Sequence, residues 1–181
     1  MGSSYSIIIP VKEINDYVRQ TVEHIRGLRT DRWEVCILTN DDCEDEWQDS
    51  KISLVDTGRL GPARKRDIGA ELATGDILVF LDDDSYPNSD LLDVADSHFE
   101  NDDIVAIGGP GITPREDSFW QRVSGAVFLS RLSGGNPERY INIGEPKFVD
   151  DWPSVNLMIR RAAFLKIGGF DTDFWPGEDT V

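Results

Sequence analysis

The sequence predicts an α/β fold, a single domain with a mostly parallel central sheet and helices on both faces. Three observations predict it. Apolar runs such as Ile7-Ile8-Ile9 and Ile77-Leu78-Val79-Phe80-Leu81 are continuous, as in strands buried on both faces. Stretches between them repeat apolar residues at three-to-four spacing, the mark of amphipathic helices. A length of 181 residues is enough for one sizeable core.

The first strand is the β-branched run at 6–11, which Pro10 brings to an end. Asn15 or Asp16 can cap the next helix, which carries Ile14, Val18, Val22 and Ile25 on one face and runs to about Arg29. Residues 34–38 form a second buried strand, 40–50 an acidic loop or short helix, and 52–55 a third strand. Gly61 and Pro62 open a helix through Ala73, with Ile68 and Leu72 facing inward, and Thr74-Gly75 ends it. The strand at 77–81 is the most apolar of all. A helix is expected from Pro87 to about Phe99 and a strand at 104–107. After Gly108 the alternation weakens: a helix at 118–129, a loop at 133–137, a strand at 155–159 and a short helix at 161–166.

Composition narrows the function. Lys and Arg number 18 against 34 Asp and Glu, a formal net charge of -16. Such a chain suits neither a nucleic-acid backbone nor an anionic lipid surface. A cation, or a substrate carried by one, suits it better. Apolar runs are too short to span a bilayer, and no basic-then-apolar leader opens the chain. Cys36 and Cys43 are too few for a disulfide framework, and with only His24 and His98 available a structural zinc site is not expected.

Chemistry concentrates in a few places. Asp82, Asp83 and Asp84 directly follow the most apolar strand, where open α/β sheets bind ligands. Adjacent carboxylates repel, and a divalent cation relieves the repulsion. In an extended chain Asp82 and Asp84 share one face, an Asp-x-Asp pair fit for Mg²⁺ or Mn²⁺. Arg64, Lys65 and Arg66 gather three basic residues at a helix start, a place for a diphosphate. No Walker loop, Gly-x-Gly-x-x-Gly or serine nucleophile elbow is present. Asp150-Asp151-Trp152 and the segment Gly168-Gly169-Phe170-Asp171 with Gly177-Glu178-Asp179 are further acidic candidates.

Together these blocks resemble the family 2 glycosyltransferases, nucleotide-sugar enzymes of the GT-A fold. Four segments carry the resemblance in order: 7–13, 63–70 (similar to the family's Ala-Arg-Asn-x-Gly helix start), 75–84 with the Asp-x-Asp motif, and Gly168 to Asp179. The resemblance implies a GT-A-like domain over 1–181, with a nucleotide-binding part at about 1–110 and an acceptor-side part at about 111–181. It implies that Asp84 binds a divalent cation, Mn²⁺ or Mg²⁺, with Asp82 holding the donor ribose or the metal shell and Asp83 nearby. Pro10, Val11, Glu13, Asn40 and Asp41 would surround the base. Arg66 would approach the diphosphate, and Gly108 and Gly109 the donor sugar. Asp179 would be the general base of an inverting transfer, with Trp175 and Glu178 beside the acceptor. The expected donor is a nucleoside-diphosphate sugar and the acceptor a glycan or lipid-linked hydroxyl, at the cytoplasmic face.

Family members usually continue past the Glu-Asp block, so an incomplete acceptor side and some self-association are also expected. Two departures stand out: Leu38-Thr39-Asn40-Asp41 replaces the usual acidic pair after the second strand, and Val181 closely follows Asp179. A nucleotidyltransferase and a non-catalytic nucleotide-sugar-binding domain are the competing readings.

Overall fold

The computed structural model describes residues 2–44, 46–115, 117–130, 137–142 and 144–171. Its centre is a six-stranded sheet in the order β3-β2-β1-β4-β6-β5. β1 (Tyr5–Pro10) pairs in parallel with β2 (Trp33–Thr39) on one side and β4 (Ile77–Phe80) on the other. β3 (Ile52–Asp56) continues the parallel set beyond β2. β6 (Leu157–Arg160) lies antiparallel between β4 and β5 (Ala106–Gly108). The sheet is therefore mostly parallel, as expected.

The two-residue period of the strands divides the core. Ile7 and Ile9 face one side with Val35, Ile37 and Val79, against Val18, Val22 and Ile25 of α1 (Asp16–Arg26) and Leu92, Ala95 and Phe99 of α3 (Leu91–Phe99). Ile8, Cys36, Leu38, Leu78 and Phe80 face the other, beneath α2 (Pro62–Leu72) and α5 (Arg161–Ile167). The core strands read as unbroken apolar runs because both faces are covered.

Local signals set most helix limits. Asn15 caps α1, its side-chain oxygen accepting the Val18 N–H at 3.0 Å. α1 stops at Arg26, three residues earlier than expected, with Gly27 as its cap. α3 begins at Leu91 rather than Pro87; the Ser89 carbonyl instead accepts the Arg29 N–H at 2.8 Å, tying the segment ahead of α3 to the turn after α1. α4 (Phe119–Phe128) opens with a reciprocal box between Ser118 and Gln121. Among the described residues no helix is long and apolar enough to cross a membrane.

α2 departs most from expectation. Leu72 is 55% exposed, and the buried residues are Ala63, Lys65, Arg66, Asp67, Gly69 and Ala70. Small residues let this helix lie close to the sheet. A β-carbon on Gly69 would stand 2.6 Å from Ile8 Cγ2. The three charged residues are thus carried beneath the surface, and each has a specific partner there.

Candidate active site

The strand order reverses direction at β1, with β2 and β3 on one side and β4 on the other. Open α/β sheets bind ligands outside the carboxyl ends of their strands at such a switch point. Val11 follows β1, Asn40 and Asp41 follow β2, and Asp82 to Asp84 follow β4. The topology therefore places the predicted base contacts and the carboxylate cluster along the same edge.

The carboxylates lie in a tight turn, not in an extended chain: the Ser85 N–H donates to the Asp82 carbonyl at 3.1 Å. Asp83 still points aside. Its carboxylate accepts from Asn15 Nδ2 at 3.2 Å, and its carbonyl accepts from Thr21 Oγ1 at 2.7 Å. Asp82 receives Arg66 Nη2 at 2.9 Å, and its side chain remains 42% exposed. Burial raises the pKa of Asp82, with Asp84 and Asp83 adding to the rise and Arg66 opposing it. Asp84 is raised by burial and then by Asp83 and Asp117.

Among the described residues no group of three or more His, Cys, Asp or Glu side chains is arranged to hold a metal ion. The donor chemistry nevertheless fits Mg²⁺ or Mn²⁺. Such ions usually take one or two carboxylates and complete their shell with water and substrate phosphates. Asp84 and Asp82 would supply two hard oxygen ligands whose mutual repulsion a cation would relieve.

The basic residues of α2 separate into different environments. Arg64 remains outside, 3.6 Å from Glu71. Arg66 is 5% exposed along its side chain, bonded to Asp82, and its guanidinium lies 5.8 Å from the Phe170 ring. It therefore meets the Asp82 carboxylate directly. Lys65 is 2% exposed and donates from Nζ to the Val11 and Leu38 carbonyls and to Asn40 Oδ1. Burial lowers its pKa, with Asp41 and Asp56 opposing. Asp67, raised by burial, accepts the Phe170 N–H at 3.0 Å.

Pro10 is half-buried, Val11 buried, and Glu13 and Asp41 exposed. Gly108 and Gly109 each lie against a side chain from the segment before or at the start of β6. A β-carbon on Gly108 would strike the Trp152 indole, and one on Gly109 the Asn156 carboxamide. The glycines admit these side chains. Trp152 Nε1 and Asn156 Oδ1 are both buried without a hydrogen-bond partner among the described residues. Asn156 adopts φ 57°, in the left-handed region. Asp151 binds Arg139 at 2.6 Å beside a polar pocket of about 300 Å³ lined also by Glu138, Lys147 and Trp152. Trp120 is 76% exposed on α4. Trp175, Glu178 and Asp179 lie outside the described residues.

Sequence reading missed the structural roles of Lys65 and Asp67. A signal was available: Ala63, Arg66, Asp67 and Ala70 fall at three-to-four spacing, so charged residues share the inner stripe. No pattern marked Asn156.

A pre-mycofactocin glycosyltransferase from Mycobacterium tuberculosis is 29% identical over 177 residues, covering 96% of this chain and 37% of that protein. The fold matches a mannosyltransferase from Pyrobaculum calidifontis in complex with GDP-Man and Mn²⁺, with a TM-score of 0.67, 18% identity, and coverage of 99% of this chain and 50% of that one. It also matches Staphylococcus aureus TarS 1-349 in complex with UDP-GlcNAc, with a TM-score of 0.64, 15% identity, and coverage of 97% and 51%. The chain thus spans 37% of the mycobacterial relative and about half of these two structures. The model of the family described as glycosyl transferase family 2 matches residues 6–168, and with the carboxylate turn at the switch point of a GT-A sheet this chain belongs to that family.

Proposed function

We propose that this chain is the nucleotide-binding catalytic part of a metal-dependent, inverting glycosyltransferase. It moves a sugar from a nucleoside-diphosphate sugar to an acceptor hydroxyl, in glycan or cell-surface polysaccharide synthesis at the cytoplasmic face. One observation supports this reading above all: Asp82 and Asp84 stand together past β4, with Arg66 buried against Asp82. The relatives' ligands, GDP-Man with Mn²⁺ and UDP-GlcNAc, support the donor class.

In the proposed reaction Val11, Asn40 and Asp41 hold the base, while Asp84 and Asp82 would hold a divalent cation. A bound divalent cation neutralises charge that grows on the departing diphosphate. Asp179 takes the proton from the acceptor hydroxyl. That oxygen forms a bond to the anomeric carbon as the bond from that carbon to the diphosphate oxygen breaks. The single displacement inverts the configuration. Arg66 keeps Asp82 ionised and oriented throughout.

Calorimetric titration of UDP, GDP and dTDP, with Mn²⁺ and with chelator, tests the reading. One nucleotide should bind with the metal and fail with the chelator, and Asp84→Ala should lose at least about tenfold in affinity. Metal-independent binding unaffected by Asp84→Ala would overturn the metal assignment. Pyrophosphate instead of nucleoside diphosphate as product would favour a nucleotidyltransferase.

A further inference from the structure

We propose that Lys65 locks Asn40 as a one-way hydrogen-bond donor at the base end of the crevice, so that the protein reads a carbonyl oxygen of the base there: O4 of uracil or thymine, or O6 of guanine. The inference rests on the nucleotide-sugar reading above and specifies how one residue of that site is used.

Lys65 lies on α2 at 2% exposure, beneath the loops that leave β1 and β2. Its Nζ donates to the carbonyl of Val11, to the carbonyl of Leu38 at 3.3 Å and to Asn40 Oδ1 at 2.7 Å. An ammonium has three hydrogens and no acceptor, and these three oxygens engage all of them. The two ends of a carboxamide are nearly alike in shape and ordinarily exchange by a flip. Here the flip is forbidden, because turning the NH₂ toward Nζ would set donor against donor and leave a buried ammonium hydrogen unpaired.

The oxygen of Asn40 is therefore committed inward. Its Nδ2 faces away from the lysine and donates to nothing among the described residues. The backbone is held as well: the Asn40 N–H donates to the Lys12 carbonyl at 3.0 Å, and the Val11 N–H to the Leu38 carbonyl at 2.9 Å. The side chain can turn only its N–H face to a ligand, and the complement of that face is a carbonyl. A base presenting an amino group at this point would meet a second donor.

The test titrates the nucleoside diphosphate that binds best among UDP, GDP and dTDP into wild type, Asn40→Asp and Lys65→Met. It repeats each titration with the 4-thio or 6-thio analogue of that base. Asn40→Asp keeps an oxygen for Lys65, so it folds with an unchanged or higher melting temperature, but its outer atom accepts where Nδ2 donated. It should bind about tenfold more weakly or worse. The thio analogue should bind less tightly than the parent to wild type and equally to Asn40→Asp. Lys65→Met frees the flip and should narrow the parent-to-thio preference. Unchanged or tighter binding by Asn40→Asp, or a full preference retained in Lys65→Met, would overturn the inference alone. Wild-type protein that binds none of the three nucleotides would overturn the functional reading and this inference with it.

Discussion

Gly168 and Gly169 both sit at positive φ, 94° and 86°, yet their surroundings differ. A β-carbon on Gly168 would project into open space, whereas one on Gly169 would collide with the Asp67 carboxylate that accepts the Phe170 N–H. Gly168→Ala should therefore cost about 1 kcal/mol of backbone strain. Gly169→Ala should cost about 2–3 kcal/mol, because the Asp67 bond is displaced as well. Denaturant unfolding of the two variants measures the difference, and equal costs would show that Asp67 yields without penalty. The glycine pair was legible as a turn in the sequence. Why the second glycine is needed was not, because Asp67 lies about a hundred positions away in the chain.

One aromatic cluster joins α5 and the turn after it to β4. Phe80 lies 5.2 Å from both Phe164 and Phe170, and those two are 5.3 Å apart. Phe164 is 3% exposed. Phe164→Ala should cost about 3–5 kcal/mol. Because α5 follows β6 without a break, the loss should speed hydrogen exchange at β6 amides more than at β1 amides. Uniform acceleration across the sheet would mean that the cluster is not local to this edge. Most helices were readable from their own spacing and caps, as α1 with Asn15 shows. On α2 the expectation held for Ile68, which packs against the core, and failed for Leu72, because hydrophobic spacing gives no weight to Arg66 and Asp67, whose partners come from the turn past β4 and the Gly-Gly-Phe turn.

The whole molecule carries a net charge of -16, so its folded state depends on how its acids are paired. Asp96 ties α3 to two distant segments: it accepts from Tyr5 Oη at 2.7 Å and the Ser3 N–H at 3.2 Å at the start of the chain, and from Arg32 ahead of β2. Burial raises its pKa, but the bonds from Arg32 and Tyr5 outweigh this and leave it below the ordinary carboxylate value. Asp76 is lowered by the Ser4 backbone and hydroxyl bonds. A depressed folded pKa contributes stability above the unfolded value, near 3.9, that is lost as pH falls through the folded one. Wild type should hold its stability from neutral pH to about pH 4 and lose it below. Asp96→Asn should be about 2 kcal/mol less stable at neutral pH and lose less on acidification. Parallel pH profiles for the two proteins would show that Asp96 is not part of the acid response.

The amino-acid sequence by itself determined the class of fold, all six strands to within two residues, a helix cap at Asn15 or Asp16 and the acidic cluster past the strongest strand. These are local properties: the run length of apolar residues, their period, and the few residues able to end a helix. Only the tertiary structure decided that β6 enters between β4 and β5, that Lys65 and Arg66 turn inward to Asn40 and Asp82, and that Trp152 and Asn156 fill the space over Gly108 and Gly109. Each of these depends on groups far apart in the chain, and a buried charge is placed by its partner, not by its neighbours in sequence.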